Sequence, residues 1–361
     1  MRMELRELRL TNVRNVVGAE IALAPGVSEF VGSNGAGKTS ILESVYMLSH
    51  GRSFRSVKRE SLIRFGEQSL EVFAVIETRG MHRRVGLSRR RGDWEARLDG
   101  IEIGTLAELL REVAVVCFEP GSHALISGPA EERRHFVDWA LFHVEPSYVD
   151  VARRYRRALS QRNALLRQGG TDHDLDLWDR ELEKTATVIG KWRDDYLALL
   201  GPTIDQLAAA LAPELGTPEV SYSRGWNAER TLSNALLERR TRDRERAHTS
   251  VGPHRADWRV TFAAAPEREH LSRGQEKLAA LICLLAQAQL FKRQLGKWPV
   301  VCLDDLASEL DSQHQRSVLM WLDSIEAQIL ITGTAALPPN KLRNRNHTLF
   351  HVEQGRVSTL L

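Results

Sequence analysis

Cysteine is scarce in this chain, which has only three among 361 residues. Cys117, Cys283 and Cys302 are too few and too scattered for a disulfide framework or a cysteine-based zinc site. Each lies in an apolar run, where a cysteine serves as a small buried hydrophobe. Long hydrophobic runs are missing as well. The longest unbroken one, Leu278 to Ala286, has nine residues, whereas a membrane span needs about 18. Met1 to Leu10 alternates charged and apolar residues and has no signal-peptide core. These absences imply a soluble protein of a reducing, cytoplasmic compartment, without a membrane partner. Charge of one sign is not in excess either. The 50 Lys and Arg nearly balance 47 Asp and Glu, leaving a formal net charge of +3. Bulk charge therefore does not announce a nucleic-acid binder. Lysine is scarce within that total: eight residues, against 42 arginines. Coding bias accounts for such a ratio in bulk, so position matters more than number. There is no internal repeat and no low-complexity segment.

What is present is ordinary for a folded protein, with 42% apolar and 27% charged residues. Glu4 to Leu10 is close to period two, and Val27 to Val31 is a β-rich stretch ending at Gly32. A helix follows, with Ile41, Leu42, Val45 and Leu48 on one face. Strand patterns recur at Leu70 to Ile76, Val85 to Ser88, Ala96 to Leu98, Ile101 to Ile103 and Val113 to Phe118. Asp99-Gly100 is a hairpin signal. From Pro129 to about Leu211 the periodicity is helical, with breaks expected at Pro146, Gly169-Gly170 and Gly201-Pro202. Strand signals return at Val220 to Ser223 and Trp258 to Phe262. The remainder predicts helix (275–295), strand (300–303), helix (312–324), strand (328–332) and a hairpin at Gln354-Gly355.

Gly32-Ser33-Asn34-Gly35-Ala36-Gly37-Lys38-Thr39 fits the full P-loop pattern between a predicted strand and a predicted helix. The glycines let the backbone curl so that N–H groups face phosphates, and the helix N-terminus adds its dipole. Lys38 reaches the terminal phosphates of ATP, and Thr39 can ligate Mg²⁺. Val300 to Leu303 reads as a fully buried strand ending in Asp304 and Asp305. At that end of an α/β sheet ligands bind. Asp304 would hold Mg²⁺ and Asp305 would orient or deprotonate the attacking water. Leu271-Ser272-Arg273-Gly274-Gln275 is a capping box before an apolar helix. It also lies about 30 residues ahead of Asp304.

That placement resembles the signature loop of ABC-type ATPases, usually Leu-Ser-Gly-Gly-Gln. Ser308-Glu309-Leu310-Asp311 resembles the loop that follows the acidic strand there, although Asp311 could equally be a plain N-cap. The resemblance implies that Ser272, Gly274 and Gln275 complete the partner copy's site, with ATP sandwiched in a homodimer. Further blocks narrow it. Leu8 to Asn15, Gly51-Arg52-Ser53-Phe54-Arg55, Ser127-Gly128-Pro129, Arg133-Arg134-His135-Phe136-Val137-Asp138 and Gly252-Pro253-His254-Arg255-Ala256-Asp257 resemble the RecF family of DNA-repair ATPases. That family belongs to the SMC-like branch. The resemblance implies an α/β ABC-type ATPase head, a mixed sheet with an antiparallel β subdomain, plus an inserted helical domain. The expected limits are 1–120 for the P-loop lobe, 121–215 for the insertion and 216–361 for the second half of the head.

It also implies a weak ATPase acting in recombinational repair and replication-gap processing. DNA (single-stranded, double-stranded or gapped), RecR and RecO would be partners, and RecA loading the outcome. Departures point to slow turnover. No Gln lies near Phe118-Glu119-Pro120, Gly121 replaces an expected acid, and Ile331 to Thr334 lacks a switch histidine. A transporter's nucleotide-binding subunit is the alternative, but an Arg-rich insertion stands where its membrane coupling surface would be.

For DNA, two arginine clusters are candidates: Arg83, Arg84, Arg89, Arg90 and Arg91 on a hairpin, and Arg153, Arg154, Arg156, Arg157, Arg162 and Arg167 in an acid-free window. Either could also be a solvated face. Arg239 to Arg246 carries interleaved acids, which suggests local ion pairs. None of these stretches has the aromatic interleaving expected of a single-strand stacking platform, so contact with the DNA backbone is expected and not base readout. His254 and Arg255 could face the nucleotide or the dimer seam, or form a turn with Arg255 paired to Asp257.

Overall fold

The computed structural model describes residues 3–55, 59–78, 80–90, 93–265, 270–338 and 346–360. Arg91 lies outside them. The chain divides into two units. Met1–His123, Gln206–Glu214 and Leu271–Leu361 form the first, and Ala124–Asp205 with Leu215–His270 the second.

The first unit holds two sheets. One is antiparallel, built from β1 (Met3–Val13), β2 (Val16–Ala22), β4 (Ser69–Thr78), β5 (Met81–Arg90), β6 (Asp93–Leu98) and β7 (Ile101–Glu102), in the order β2-β1-β4-β5-β6-β7. Its strands alternate: Leu70, Val72, Ala74 and Ile76 of β4 are buried while their neighbours are not, as a one-sided core demands. The other sheet contains β3 (Val27–Val31), β8 (Val115–Phe118), β11 (Val300–Leu303), β12 (Ile329–Gly333), β13 (His347–Glu353) and β14 (Arg356–Thr359). Its order is β14-β13-β3-β12-β11-β8, parallel except for β14. Every residue of β3, β8, β11 and β12 is buried, which is why β8 and β11 are continuous apolar runs. Buried Gln328 links the two sheets. Its amide donates to the Leu5 and Ala24 carbonyls at 2.8 Å each and accepts from the Leu5 N–H at 2.7 Å. Helices α1 (Lys38–His50), α2 (Leu106–Glu112), α8 (Arg273–Leu295), α9 (Leu306–Glu309) and α10 (Ser312–Ser324) complete the unit.

The second unit contains α3 (Ala124–Ser127), α4 (Ala130–Val144), α5 (Tyr148–Gln168), α6 (Asp172–Leu211), α7 (Leu232–Arg246) and a ribbon of β9 (Pro218–Ser223) with β10 (Asp257–Phe262). Residues from Gln206 on in α6 belong with the first unit. Two expectations are revised. The head was expected to resume at 216, yet 215–270 belongs to the second unit. The reason is packing. β9 and β10 pair with each other, and Leu232 and Leu236 of α7 share a core with Tyr155, Ala158, Leu182, Ala186 and Ile189. The helix was also expected to stop at Gly201-Pro202, but α6 runs through Pro202. An interior proline costs about 3 kcal/mol. Leu197, Leu200, Ile204, Leu207, Ala208 and Leu211 are all at most 3% exposed. Burying each such leucine or isoleucine returns about 1.5–3 kcal/mol, so the apolar face outweighs the proline.

The Gly252 to Asp257 block and the Arg133 to Asp138 block brace each other within this unit. The Arg133 guanidinium is bonded to Asp257 at 2.6 and 3.2 Å, and Arg134 donates to the Ala256 carbonyl at 2.8 Å. Arg193 grips Asp138 with two bonds of 2.9 Å and donates to the Pro253 carbonyl at 2.7 Å.

Candidate functional site

The P-loop joins β3 to α1, and its curl is enforced by close neighbours. A side chain on Gly32 would meet the Val352 carbonyl at 2.1 Å. Gly37 caps α1 with φ of 118°, against Asn15, Gly355 and Val16. Asn15 donates to the Gly35 carbonyl at 2.6 Å and accepts from the Ser40 hydroxyl at 3.1 Å. The Gly355 N–H holds the Ala36 carbonyl at 2.8 Å. The N–H groups of Gly35, Gly37, Lys38 and Thr39 have no acceptor among the described residues. Gly35 faces open space. Lys38 is 7% exposed and donates to the Gly32 and Ser33 carbonyls at 2.8 and 2.9 Å. Together these groups form a cradle of donors with the chemistry of a phosphate site.

Asp304 and Asp305 follow β11. The acidic strand is not β3's neighbour, because β12 lies between them. Even so, α1 carries Thr39 to the acid, and its hydroxyl donates to Asp304 Oδ1 at 3.1 Å. Thr332 at the end of β12 donates to the same oxygen at 2.7 Å and accepts the Asp305 N–H at 2.9 Å. Burial raises the Asp304 pKa, Asp305 raises it further, and the two hydroxyls and Arg55 oppose the shift. A buried carboxylate beside a hydroxyl, both hard oxygen donors, fits Mg²⁺ shared with phosphates. Asp305 sits in the left-handed region at φ 52° and its side chain accepts from Ser308 Oγ at 2.6 Å. Such a conformation is costly for a non-glycine residue, and functional sites are where it concentrates.

Glu119, after β8, takes the place where no glutamine was found. Burial raises its pKa to about 7, and nearby Asp304 adds to the shift. The Gly121 N–H (2.7 Å), Ser122 and His123 oppose it. Sequence reading missed Thr332 and Glu119. Polar residues at the C-terminal ends of apolar strands were the available signal.

Ser272 and Gln275 form a capping box at the start of α8, with the Ser272 N–H on Gln275 Oε1 at 2.9 Å and the Gln275 N–H on Ser272 Oγ at 3.3 Å. Gly274 has nothing within 4 Å of where a side chain would begin. No hydrogen bond or ion pair joins these residues to the P-loop among the described residues. α8 is tied instead to the loop after the acids, through Lys277 and Glu309 at 2.6 Å. Asp311 caps α10.

The arginine clusters separate on folding. Arg89 is 2% exposed, with its guanidinium over the Trp94 ring at 5.3 Å, so it is no surface contact. Arg90 is exposed. Arg162 is fully buried, bound to Asp179 at 2.6 Å and Asp243 at 2.8 Å. The window that lacks acids in sequence gains them in space: Arg154 pairs with Glu181 of α6 at 2.7 Å. Arg153 and Arg157 stay exposed. In α7, Arg240 pairs with Asp176 and Asp179, and Arg244 with Asp172. Those partners come from α6, and not from Asp243 and Glu245 as expected. His254 lies in the second unit. Its Nε2 donates to the Thr249 carbonyl at 3.0 Å, so Nδ1 accepts from the Tyr155 hydroxyl at 2.6 Å. Asp257 pairs with Arg133 and Arg259, and not with Arg255 as considered above.

The model of the RecF/RecN/SMC N terminal domain family matches residues 4–358. The DNA replication and repair protein RecF of Stenotrophomonas maltophilia (strain R551-3) is 48% identical, covering 98% of this chain and 99% of its own. The chain belongs to the RecF family. Its RecF relative from Shewanella baltica (strain OS223) is 35% identical over 99% of this chain and 100% of its own. Two solved structures of the recombination mediator protein RecF in the RecFOR pathway cover 100% of this chain at 26% identity. The RecF-ATP form has a TM-score of 0.90 over 98% of its chain, and the RecF-ATPrS form 0.87 over 99%. An Smc head domain from Pyrococcus furiosus shares the fold at a TM-score of 0.60 and 15% identity, covering 99% of this chain and 96% of its own. The ABC-type α/β fold and membership of the RecF family are thus established. Among the described residues, no helix is long and apolar enough to cross a membrane.

Proposed function

We propose that this RecF-family chain is an ATP-gated DNA-binding protein of recombinational repair and replication-gap processing. Two copies would close over ATP, hold DNA, and release it on slow hydrolysis. The observation that carries the reading is the convergence of the P-loop donors, Lys38, Thr39 and Asp304 at one end of the parallel sheet. Lys38 would bind the terminal phosphates, and Thr39 and Asp304 would hold Mg²⁺. Asp305, held by Ser308, would orient the attacking water. When bound, the ion neutralises charge developing on the phosphates. Ser272, Gly274 and Gln275 cap α8 without serving their own P-loop, which supports a role on the partner copy's phosphate. The solved relatives are recombination mediators of the RecFOR pathway, which supports RecO and RecR as partners; RecA loading as the outcome and the cytoplasm as the location belong to the same proposal. Of the arginines proposed for DNA, Arg90, Arg153, Arg154 and Arg157 retain surface positions.

The test is affinity for gapped duplex DNA with ATP, with ADP and without nucleotide. ATP is expected to tighten binding at least tenfold over ADP. Equal affinity in all three states would remove the gate.

A further inference from the structure

Arg154, Arg157, Leu177, Trp178 and Glu181 line a pocket of about 420 Å³ between α5 and α6 of the second unit. None of them serves the nucleotide chemistry above. The volume is that of a small-molecule site. Trp178 is half-buried and packs against the core of Tyr155, Ala158 and Leu182. Leu177 beside it is 53% exposed. Arg154 donates to Glu181 from Nε at 2.9 Å and Nη2 at 2.7 Å, giving a fixed polar edge. Arg157 is exposed and makes no ion pair among the described residues. The carboxylate of Asp150 stands 3.8 Å from Arg153, one turn from Arg157 on α5. A simple anion leaves the indole and Leu177 unused, and an apolar ligand leaves the arginines unused. A nucleotide unit of a DNA strand uses both, through its flat base and its phosphate.

We propose that this pocket captures one unpaired nucleobase of a DNA strand against Trp178, with the adjoining phosphates on Arg157 and Arg153. The chain would then distinguish DNA with an exposed single strand from plain duplex. The proposal rests on the DNA-binding reading above. It replaces the expectation of no stacking platform: Tyr155, the aromatic among the α5 arginines, is buried, but α6 brings Trp178 beside them.

The test measures binding of the full chain with ATP to three labelled DNAs of equal length: blunt duplex, duplex with a thymidine gap, and duplex with an abasic gap. Wild type is expected to bind the abasic gap about tenfold more weakly than the thymidine gap, the size of one base–aromatic stack. Trp178→Ala should bring the thymidine gap down to the abasic level, lose nothing more on the abasic gap and leave blunt duplex unchanged. Such coupling between residue and base is the signature of direct contact. Trp178→Phe should keep the discrimination. Should Trp178→Ala also lose blunt duplex, Trp178→Phe decides, and its failure to discriminate overturns the proposal. Equal wild-type affinity for the two gaps overturns it, as does an abasic penalty that persists in Trp178→Ala. Absence of binding to all three DNAs overturns the DNA reading itself, whereas binding without discrimination between the two gaps overturns only the pocket proposal.

Discussion

Lys38 and Asp304 are charged side chains held in nearly dry surroundings, at 7% and 2% exposure. Each is satisfied by neighbours that a nucleotide and its metal would share: loop carbonyls for the ammonium, two hydroxyls for the carboxylate. Lys38→Met should abolish ATP binding in equilibrium dialysis. Asp305→Asn should bind ATP normally and lose phosphate release, because Asp305 touches Ser308 and not the P-loop. His254 gives a pH prediction in the second unit. Burial, with Arg255 and Arg134 adding to it, lowers its pKa to about 4 from the usual 6.5. The unfolded chain therefore takes up the proton first, and stability present above pH 6.5 falls as pH drops towards 4. The loss is on the order of 3 kcal/mol. Thermal unfolding followed from pH 7 to 4.5 should show this acid slope, and His254→Gln should flatten it. Motif residues such as Lys38 and Asp304 were legible because phosphate chemistry fixes their spacing. Thr332 and Glu119 were not, because only the order of strands places them near Asp304.

α5 shows why elements were easier to read than their surfaces. Its amphipathic run was plain, but Arg162 and Arg157 look alike in sequence. One is sealed between Asp179 and Asp243, and the other faces the pocket at Trp178. Arg162→Ala leaves the buried Asp243 carboxylate without its cation, while Asp179 keeps Arg240, and should cost about 3–5 kcal/mol. Arg157→Ala should change stability by less than about 0.5 kcal/mol. Urea unfolding measures both. On DNA the order reverses: Arg157→Ala should weaken binding to gapped DNA and lower its log–log salt slope by about one. The helix stop at Gly201-Pro202 failed for a related reason. Local propensity opposes continuation there, and burial of Leu200 and Ile204 overrides it. Long-range packing of that kind leaves no mark at the proline itself.

The molecule is discontinuous, as the return of α/β patterns at both ends of the chain suggested. What the sequence could not reveal was the allegiance of 215–270. Strand patterns identify β9 and β10 but not their partners, and here the two pair with each other. The two family blocks, Arg133 to Asp138 and Gly252 to Asp257, likewise turn out to brace one another within the second unit. The central claim concerns the whole chain: a complete phosphate cradle on one copy, and a capped signature helix that serves another. Sedimentation velocity with and without Mg²⁺ and ATP tests it most directly. Wild type and Asp305→Asn should shift from monomer to dimer when ATP is added, whereas Lys38→Met should remain monomeric. A wild-type protein with the same sedimentation coefficient in both conditions would contradict the account.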